Sequence, residues 1–349
     1  MRSLENFNIF IPLFNIEIDE TLLGKELLCG YKILKSDDIL YNIEQFVFAK
    51  EPFTNSFIRD ITQNGANKIL MHPYAKNVLF KQITIPDNDT ELYKEKEKIK
   101  NEIDDIILAF RLASNGYIQV NNCYFIANGH SAFTMMKSSS QIENICISHR
   151  SRQNNLLVEN LYNLNRSIFM NIQKQFEIVK KVKNKSTYIA MDYLHKCYNT
   201  NTPYDRIINL AIILESTMLA GRNEELNYRL FLRTSALLGR DVKELLETFY
   251  SIRSDIVHNG VIQEKSSKKK NKKDIYDKIS KITKMEREDK TELVFYFIKD
   301  YIEPLIREIL CKTYKIFVDN TSITNYEELN CQIEKFIMQK IICGFEIEN

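Results

Sequence analysis

The 349-residue chain is poor in glycine and proline, with nine and six residues of each type, and it contains no tryptophan. So few glycines and prolines argue against low-complexity linkers and against an all-β protein built from many tight turns. No apolar run approaches the roughly 18 residues of a membrane span, so the sequence predicts no membrane partner. Glu5 and Asn6 lie where a secretory signal would need apolar residues, and we therefore expect a cytoplasmic protein.

The seven cysteines are scattered along the chain, and no two of them form a C-x-x-C pair. Cys146 and His149 have the spacing of half a metal site, but the sequence offers no second pair to complete it. It also contains no H-E-x-x-H metal motif and no glycine-rich loop that would cradle a phosphate. We therefore expect reduced thiols, no metal ion and no cofactor.

Charged residues are almost balanced, with 48 Lys and Arg against 46 Asp and Glu and a formal net charge of +2. This balance excludes a protein that coats nucleic acid by bulk positive charge, although it leaves room for a local basic cleft. Hydrophobic residues make up 44% of the chain, which suffices for a sizeable core. The length predicts two domains.

The first 153 residues combine strand-like and helical patterns. Residues 98–113 carry acidic side chains early and an apolar stripe at helical spacing, which predicts an amphipathic helix. Short β-rich runs that partly alternate lie at residues 9–18, 30–34, 78–85 and 117–126. We predict an α+β N-terminal domain over residues 1–153, with about five to seven strands.

From residue 154 onwards the apolar period is helical. A broad apolar face predicts a long helix over residues 154–185. Capping signals divide the remainder into helices near residues 187–198, 202–214, 224–238, 241–258, 286–318 and 326–342. We predict an all-α helical bundle over residues 154–349.

A basic, polar loop is predicted within this bundle at about residues 263–285. Six lysines lie within residues 265–273, among them Lys268, Lys269 and Lys270. Such a run is either a solvated loop held open by its own repulsion or a contact to the phosphate backbone of RNA. The two interpretations are compatible.

Arg253 and His258 lie near the end of the helix predicted over residues 241–258. They suit phosphodiester chemistry, because arginine offers a permanently charged planar fork for phosphate oxygens and histidine takes up and releases a proton near neutral pH. Their spacing places the two side chains about 140° apart on an ideal helix. They converge only if the helix ends or distorts near His258, or if a partner chain supplies one of them across a two-fold axis. Alternatively, His258 caps the helix and Arg253 pairs with Asp255 or Glu247 on the surface.

The segment Arg253-Ser254-Asp255-Ile256-Val257-His258-Asn259-Gly260 resembles the R-x4-6-H signature of HEPN domains, in particular that of the ApeA-like branch. Upstream, residues 212–215 (IILE) are similar to the family's apolar helix with a glutamate, and residues 229–238 (RLFLRTSALL) to its basic and apolar helix. The resemblance is close over residues 201–260 and loose over the rest of the region from residue 154. Two departures are Ser254, where many members have Asn, Asp or His, and Asn259, which separates His258 from the family's glycine.

The resemblance implies a HEPN-like bundle that acts as a metal-independent endoribonuclease and cleaves RNA by attack of the 2′-OH. Arg253 would neutralise the scissile phosphate, and His258 would act as general base or acid. Glu215 would either orient His258 or pair with Arg253; otherwise it is an exposed carboxylate on its helix. The remaining supporting residues would be Ser254, Asp255 and Asn259. The residues that would either contact RNA or lie on a solvated face are Arg229, Arg233, Lys268, Lys269 and Lys270.

The resemblance also implies partners and a biological setting. Members of the family commonly pair, so we expect a homodimer with a composite active site and an RNA substrate, for which tRNA is one candidate. The expected role is anti-phage defence or toxin activity in a prokaryote, with residues 1–153 sensing a phage-derived or other trigger or selecting the RNA. The alternative is a catalytically inactive HEPN module that binds RNA or nucleotide, or that mediates dimerisation and partner regulation.

Overall fold

The computed structural model describes residues 4–13, 15–35, 77–86, 89–116, 118, 120, 122–127, 133–137, 161–182, 185–199, 203–221, 225–260, 262, 275–286 and 289–346. The chain divides into two compact units, residues 1–177 and 178–349. An antiparallel sheet near the N-terminus is followed by a helical region, and most of the described residues are helical. The predicted boundary between residues 153 and 154 lies outside the described residues and stays a prediction.

The first unit is built on a six-stranded antiparallel sheet. Its strands are β1 (Leu4–Leu13), β3 (Glu26–Leu28), β4 (Tyr31–Lys35), β5 (Asn77–Pro86), β6 (Asn122–Ala127) and β7 (Phe133–Lys137), in the spatial order β3-β4-β5-β1-β6-β7. The long pair β1–β5 is in register over ten residues, from Leu4 opposite Pro86 to Leu13 opposite Asn77. Alternating residues of β1 point to one face, so that Ile9, Ile11 and Leu13 are all buried there.

Helix α1 (Asp89–Ala113) supplies the apolar stripe that covers this core. Ile103, Ile106 and Phe110 are buried at the spacing of successive helical turns, as the sequence pattern predicts. A short parallel pair, β2 (Ile16–Ile18) with β8 (Tyr162–Leu164), completes the unit. Seven of the eight strands in the described residues lie within residues 1–153, which agrees with the predicted five to seven, and β8 lies beyond that predicted domain.

Strand β8 contradicts the predicted start of the long helix at residue 154, because residues 162–164 are extended. Tyr162 and Leu164 are buried on either side of the exposed Asn163, and the strand pairs with β2. The Tyr162 hydroxyl donates a hydrogen bond of 2.9 Å to the carbonyl of Phe110 in α1. Only after this strand does the chain enter helix α2 (Arg166–Val182).

Gly116 lies where the backbone of β8 passes close to the end of α1. A Cβ atom at this position would lie 2.8 Å from the Tyr162 Cα, a backbone atom that has little freedom to move. We expect Gly116→Ala to lower the free energy of unfolding by about 1–3 kcal/mol through overpacking. Denaturant unfolding of the full chain measures it, with Ser114→Ala as the control expected to change stability by no more than about 0.5 kcal/mol. Equal stabilities of the two variants would contradict this packing.

The second unit consists of helices. They are α3 (Lys185–Asn199), α4 (Pro203–Met218), α5 (Leu226–Leu238), α6 (Lys243–Asn259), α7 (Ile275–Thr283), α8 (Lys290–Phe297), α9 (Glu303–Asp319) and α10 (Tyr326–Glu346). A π-helical turn, Ile298–Ile302, joins α8 to α9. Among the described residues, no helix combines the length and the apolar character needed to cross a membrane.

Helix α7 corrects part of the predicted loop at residues 263–285, because residues 275–283 are helical. Ile279 is fully buried there, so one side of this helix faces the core although most residues of the predicted loop are polar. Residues 263–274 of the predicted loop lie outside the described part of the chain.

Candidate nucleic-acid cleavage site

Helix α6 carries the candidate site and packs through one apolar face. Leu246, Phe249, Ile252 and Ile256 are buried at intervals of three and four residues, which anchors the helix in the bundle. Its end is set by Gly260, which has a φ of 71° and donates its N–H to the carbonyl of Ile256 at 2.9 Å. A left-handed residue at this position is the usual way to end a helix, and it confirms the stop signal predicted at Asn259-Gly260.

The regularity of α6 decides how Arg253 and His258 relate within one chain. The helix continues through both residues to Asn259, so it neither ends nor distorts before His258. On a regular helix their side chains leave the axis about 140° apart. The helix ends directly after His258, at Gly260, but its regular backbone up to that point does not bring the two side chains to one face, and convergence through a partner chain stays a prediction.

Arg253 forms an ion pair with a neighbouring helix. Its Nη2 lies 3.5 Å from Oε1 of Glu215 on α4, and 32% and 34% of the two side chains are exposed. The Arg253 Nε is buried and makes no hydrogen bond. Of the two positions considered for Glu215, the structure places it against Arg253. The guanidinium is thus held by one long ion pair and keeps donors that are not in use.

Tyr250 lies one turn before Arg253 on α6 and joins this pair. Its hydroxyl is buried near the Glu215 carboxylate, with which it makes at most a poorly aligned hydrogen bond. Burial raises the pKa of the Tyr250 phenol well above its usual range, the nearby negative charge of Glu215 raises it further, and Arg253 partly offsets this. Tyr250 therefore stays a neutral donor beside the carboxylate. The sequence analysis missed it, although its i, i+3 spacing from Arg253 places both side chains on one helix face.

The other predicted supporting residues lie on the last turns of α6. His258 and Asn259 are exposed, whereas Ser254 and Asp255 are half-buried. Val257, between them, is 47% exposed although it is apolar. The end of α6 thus presents an accessible imidazole next to an exposed aliphatic side chain.

Arg233 corrects the expectation that it contacts RNA. Only 1% of its side chain is exposed, and it donates from Nε and Nη2 to Oε1 of Glu334 on α10, at 3.0 Å and 2.6 Å. Its Nη1 donates to the carbonyl of Met218 at 2.5 Å. Burial and these three hydrogen bonds make Arg233 a structural residue that joins α5 to α10 and α4.

Arg229 shares the same carboxylate but remains accessible. Its Nη1 lies 2.7 Å from Oε1 of Glu334, its Nη2 lies 3.7 Å from Oε2 of Glu225, and 27% of the side chain is exposed. A contact between Arg229 and RNA stays a prediction. Lys268, Lys269 and Lys270 lie outside the described residues, so their predicted contact to RNA stays a prediction as well.

The described residues contain no cluster of three or more histidine, cysteine, aspartate or glutamate side chains that could hold a metal ion. The groups that α4 and α6 bring together are a carboxylate, a guanidinium and a phenol, with an imidazole at the end of α6. Such a set can bind an oxyanion and move protons. Comparisons of the chain with protein-family models, with curated proteins and with solved structures find no match in any of the three.

Proposed function

We propose that the chain is a metal-independent endoribonuclease of HEPN type, with Arg253 and His258 as its catalytic residues. The observation that carries the proposal is the state of Arg253. Its guanidinium is partly exposed, is held by a single ion pair of 3.5 Å and has an Nε without a partner, whereas the buried Arg233 uses all three of its nitrogens. Arg253 is therefore the better placed of the two to exchange its carboxylate for a phosphate.

The proposed reaction uses only groups of the protein and the RNA. A base, His258, takes the proton of the ribose 2′-OH, and the 2′-oxygen attacks the adjacent phosphorus. The P–O5′ bond then breaks, and the protonated His258 gives the proton that it took from the 2′-OH to the leaving 5′-oxygen. Arg253 stabilises the negative charge that accumulates on the phosphate oxygens in the transition state. The products are a 2′,3′-cyclic phosphate and a 5′-hydroxyl.

A homodimer would bring Arg253 and His258 to one phosphate for this reaction. Helix α6 directs the two side chains of one chain about 140° apart. A two-fold axis near the end of α6 would bring the arginine of one chain to the histidine of the other. The exposed Val257 beside His258 supports an interface at this position, since its apolar side chain would be covered there.

The proposed setting is prokaryotic defence or toxin activity in the cytoplasm. The first unit is separate from the helical unit in its contacts and has its own core, which suits a module that senses a trigger or selects the RNA. A phage-derived molecule is one such trigger, and tRNA is one candidate substrate.

The experiment that tests the proposal is incubation of the purified protein with total RNA in EDTA. We expect cleavage that leaves 2′,3′-cyclic phosphate ends, which end-specific ligation and phosphatase sensitivity reveal. The matched control for the Arg253→Ala variant is Arg240→Ala, which removes an exposed arginine paired with Glu308 and should leave the rate unchanged. Cleavage that needs added Mg²⁺, or that leaves 3′-hydroxyl ends, would contradict the proposed chemistry.

A second candidate is a catalytically inactive HEPN module that binds RNA or nucleotide, or regulates a partner through dimerisation. The ion pair between Arg253 and Glu215 favours it, because the carboxylate lowers the net charge available to a phosphate. RNA binding that weakens with salt and yields no cut ends would select this candidate.

A further inference from the structure

Three side chains from two helices meet beside the proposed catalytic arginine. Glu215 of α4 pairs with Arg253 of α6 at 3.5 Å, and Tyr250 lies one turn from Arg253 on the same face. The Tyr250 hydroxyl is buried near Glu215 but makes no well-formed hydrogen bond to it, and the buried Arg253 Nε makes none. Two donors whose capacity is not fully used thus lie beside one carboxylate. An unsatisfied buried donor is unfavourable, so a small movement that pairs either one is expected to be stabilising.

We infer that Tyr250 is a positioning residue: its hydroxyl donates to the Glu215 carboxylate when Arg253 leaves that carboxylate for an RNA phosphate. This inference rests on the proposed function, because it needs Arg253 to bind phosphate. Before RNA binds, Glu215 holds the guanidinium. When RNA is bound, Tyr250 replaces the guanidinium at Glu215 and leaves Arg253 on the substrate.

The exchange follows from what each group can donate. Once Arg253 turns away, the half-buried Glu215 carboxylate loses its counter-charge, and a charge without a partner in such a position is costly. Tyr250 is the donor at hand, because its burial keeps it protonated and its hydroxyl already lies close enough to feel the Glu215 charge. A hydrogen bond to a charged acceptor is about twice as strong as one between neutral groups. Tyr250 therefore shifts Arg253 towards the phosphate-bound position.

The test is Tyr250→Phe, which removes only the hydroxyl. We expect kcat/KM for RNA cleavage to fall about tenfold, and the affinity for a 2′-O-methyl RNA oligonucleotide, which cannot be cleaved, to fall three- to tenfold. The thermal midpoint of the RNA-free protein should stay equal or rise, because the buried hydroxyl makes no well-formed hydrogen bond there. If the hydroxyl had only a structural role, its removal would lower that midpoint.

Two further variants make the test specific. In a Glu215→Ala background the exchange has no acceptor, so Tyr250→Phe should change the rate and the affinity less than twofold there. The matched control is Tyr314→Phe, which removes another buried hydroxyl of the helical unit, on α9 beside Tyr326, and should leave both quantities unchanged.

The outcomes separate this inference from the proposed function. If the wild-type protein cleaves RNA and Tyr250→Phe cleaves equally well, the inference fails and the ribonuclease stands. If the wild-type protein binds the 2′-O-methyl RNA without cleaving any RNA, and Tyr250→Phe weakens that binding only when Glu215 is present, the ribonuclease fails and the inference stands. A loss that persists in full with Glu215→Ala, or a wild-type protein that neither binds nor cleaves RNA, overturns the inference.

Discussion

A heterodimer of one Arg253→Ala chain and one His258→Ala chain is expected to cleave RNA at about half the wild-type rate, although neither variant alone is active. Each single change should lower the rate by on the order of 10²–10⁴-fold, since it removes either the charge on the phosphate or the proton carrier. In the heterodimer, the intact arginine of one chain meets the intact histidine of the other. One of the two composite sites is thereby complete.

This expectation depends on the geometry of α6. The helix is regular from Lys243 to Asn259, so its backbone directs Arg253 and His258 of one chain to different sides of α6. The heterodimer is obtained by co-expressing the two variants with different affinity tags and purifying on both tags in succession. Its rate is then compared with that of each homodimer at equal oligomeric state.

The control is a chain that carries both changes, Arg253→Ala with His258→Ala, paired with a wild-type chain. A composite site predicts that this heterodimer is inactive, because each site lacks one of its two groups. A site contained within one chain predicts about half the wild-type rate for it instead, and no activity for the first heterodimer. A wild-type protein that is monomeric while it cleaves would also contradict the composite site.

Local patterns allowed much of the fold to be predicted. The strands at β1, β4 and β5 follow runs of β-branched and aromatic residues, and the helical region from α3 onwards follows apolar spacing and capping signals. The end of α6 at Gly260 is the clearest case. A glycine in the left-handed conformation ends a helix through hydrogen bonds to the preceding turn, so the local sequence suffices to predict it.

Features that depend on distant parts of the chain could not be predicted in this way. Residues 162–164 are a strand because they pair with β2, which lies far earlier in the sequence, while their apolar period fits a helix equally well. Arg233 faces a carboxylate that follows it by 101 residues. Nothing in the local sequence distinguishes it from Arg229, which remains accessible on the same helix.

In the candidate site, too, some features follow from the local sequence and others from contacts between distant residues. Its chemistry was predicted from residue types, because arginine and histidine suit phosphate transfer, and from the resemblance of their spacing to the HEPN signature. The position of Glu215 against Arg253 needed the packing of α4 on α6, and the role inferred for Tyr250 needed the burial of its hydroxyl. The predicted contacts to RNA and the dimer remain predictions, since they concern molecules outside a single chain.

Glu334 is expected to contribute strongly to the stability of the helical unit. It accepts from Arg229 and from the fully buried Arg233, and so joins α5 to α10. Glu334→Ala leaves the Arg233 guanidinium buried without its counter-charge, and removal of one partner from a buried pair costs about 3–5 kcal/mol. Denaturant unfolding of the full chain measures the loss. Glu308→Ala, which breaks the exposed pair with Arg240, is the control and should cost no more than about 1 kcal/mol.

The pH dependence of the unfolding free energy tests whether the charge of Glu334 causes this stabilisation. Desolvation raises the pKa of this carboxyl, but the hydrogen bonds and charges of Arg233 and Arg229 outweigh it and lower the pKa below 4.5. A carboxyl whose pKa is lower in the folded state contributes its full stabilisation above the unfolded value and loses it as the pH falls through the folded value. The difference in unfolding free energy between wild type and Glu334→Gln should therefore be constant above about pH 5.5 and should shrink as the pH falls below about 4.5. A difference that stays the same down to pH 3 would show that the amide loses shape or hydrogen bonds rather than charge, and the proposed ion-pair contribution would be wrong.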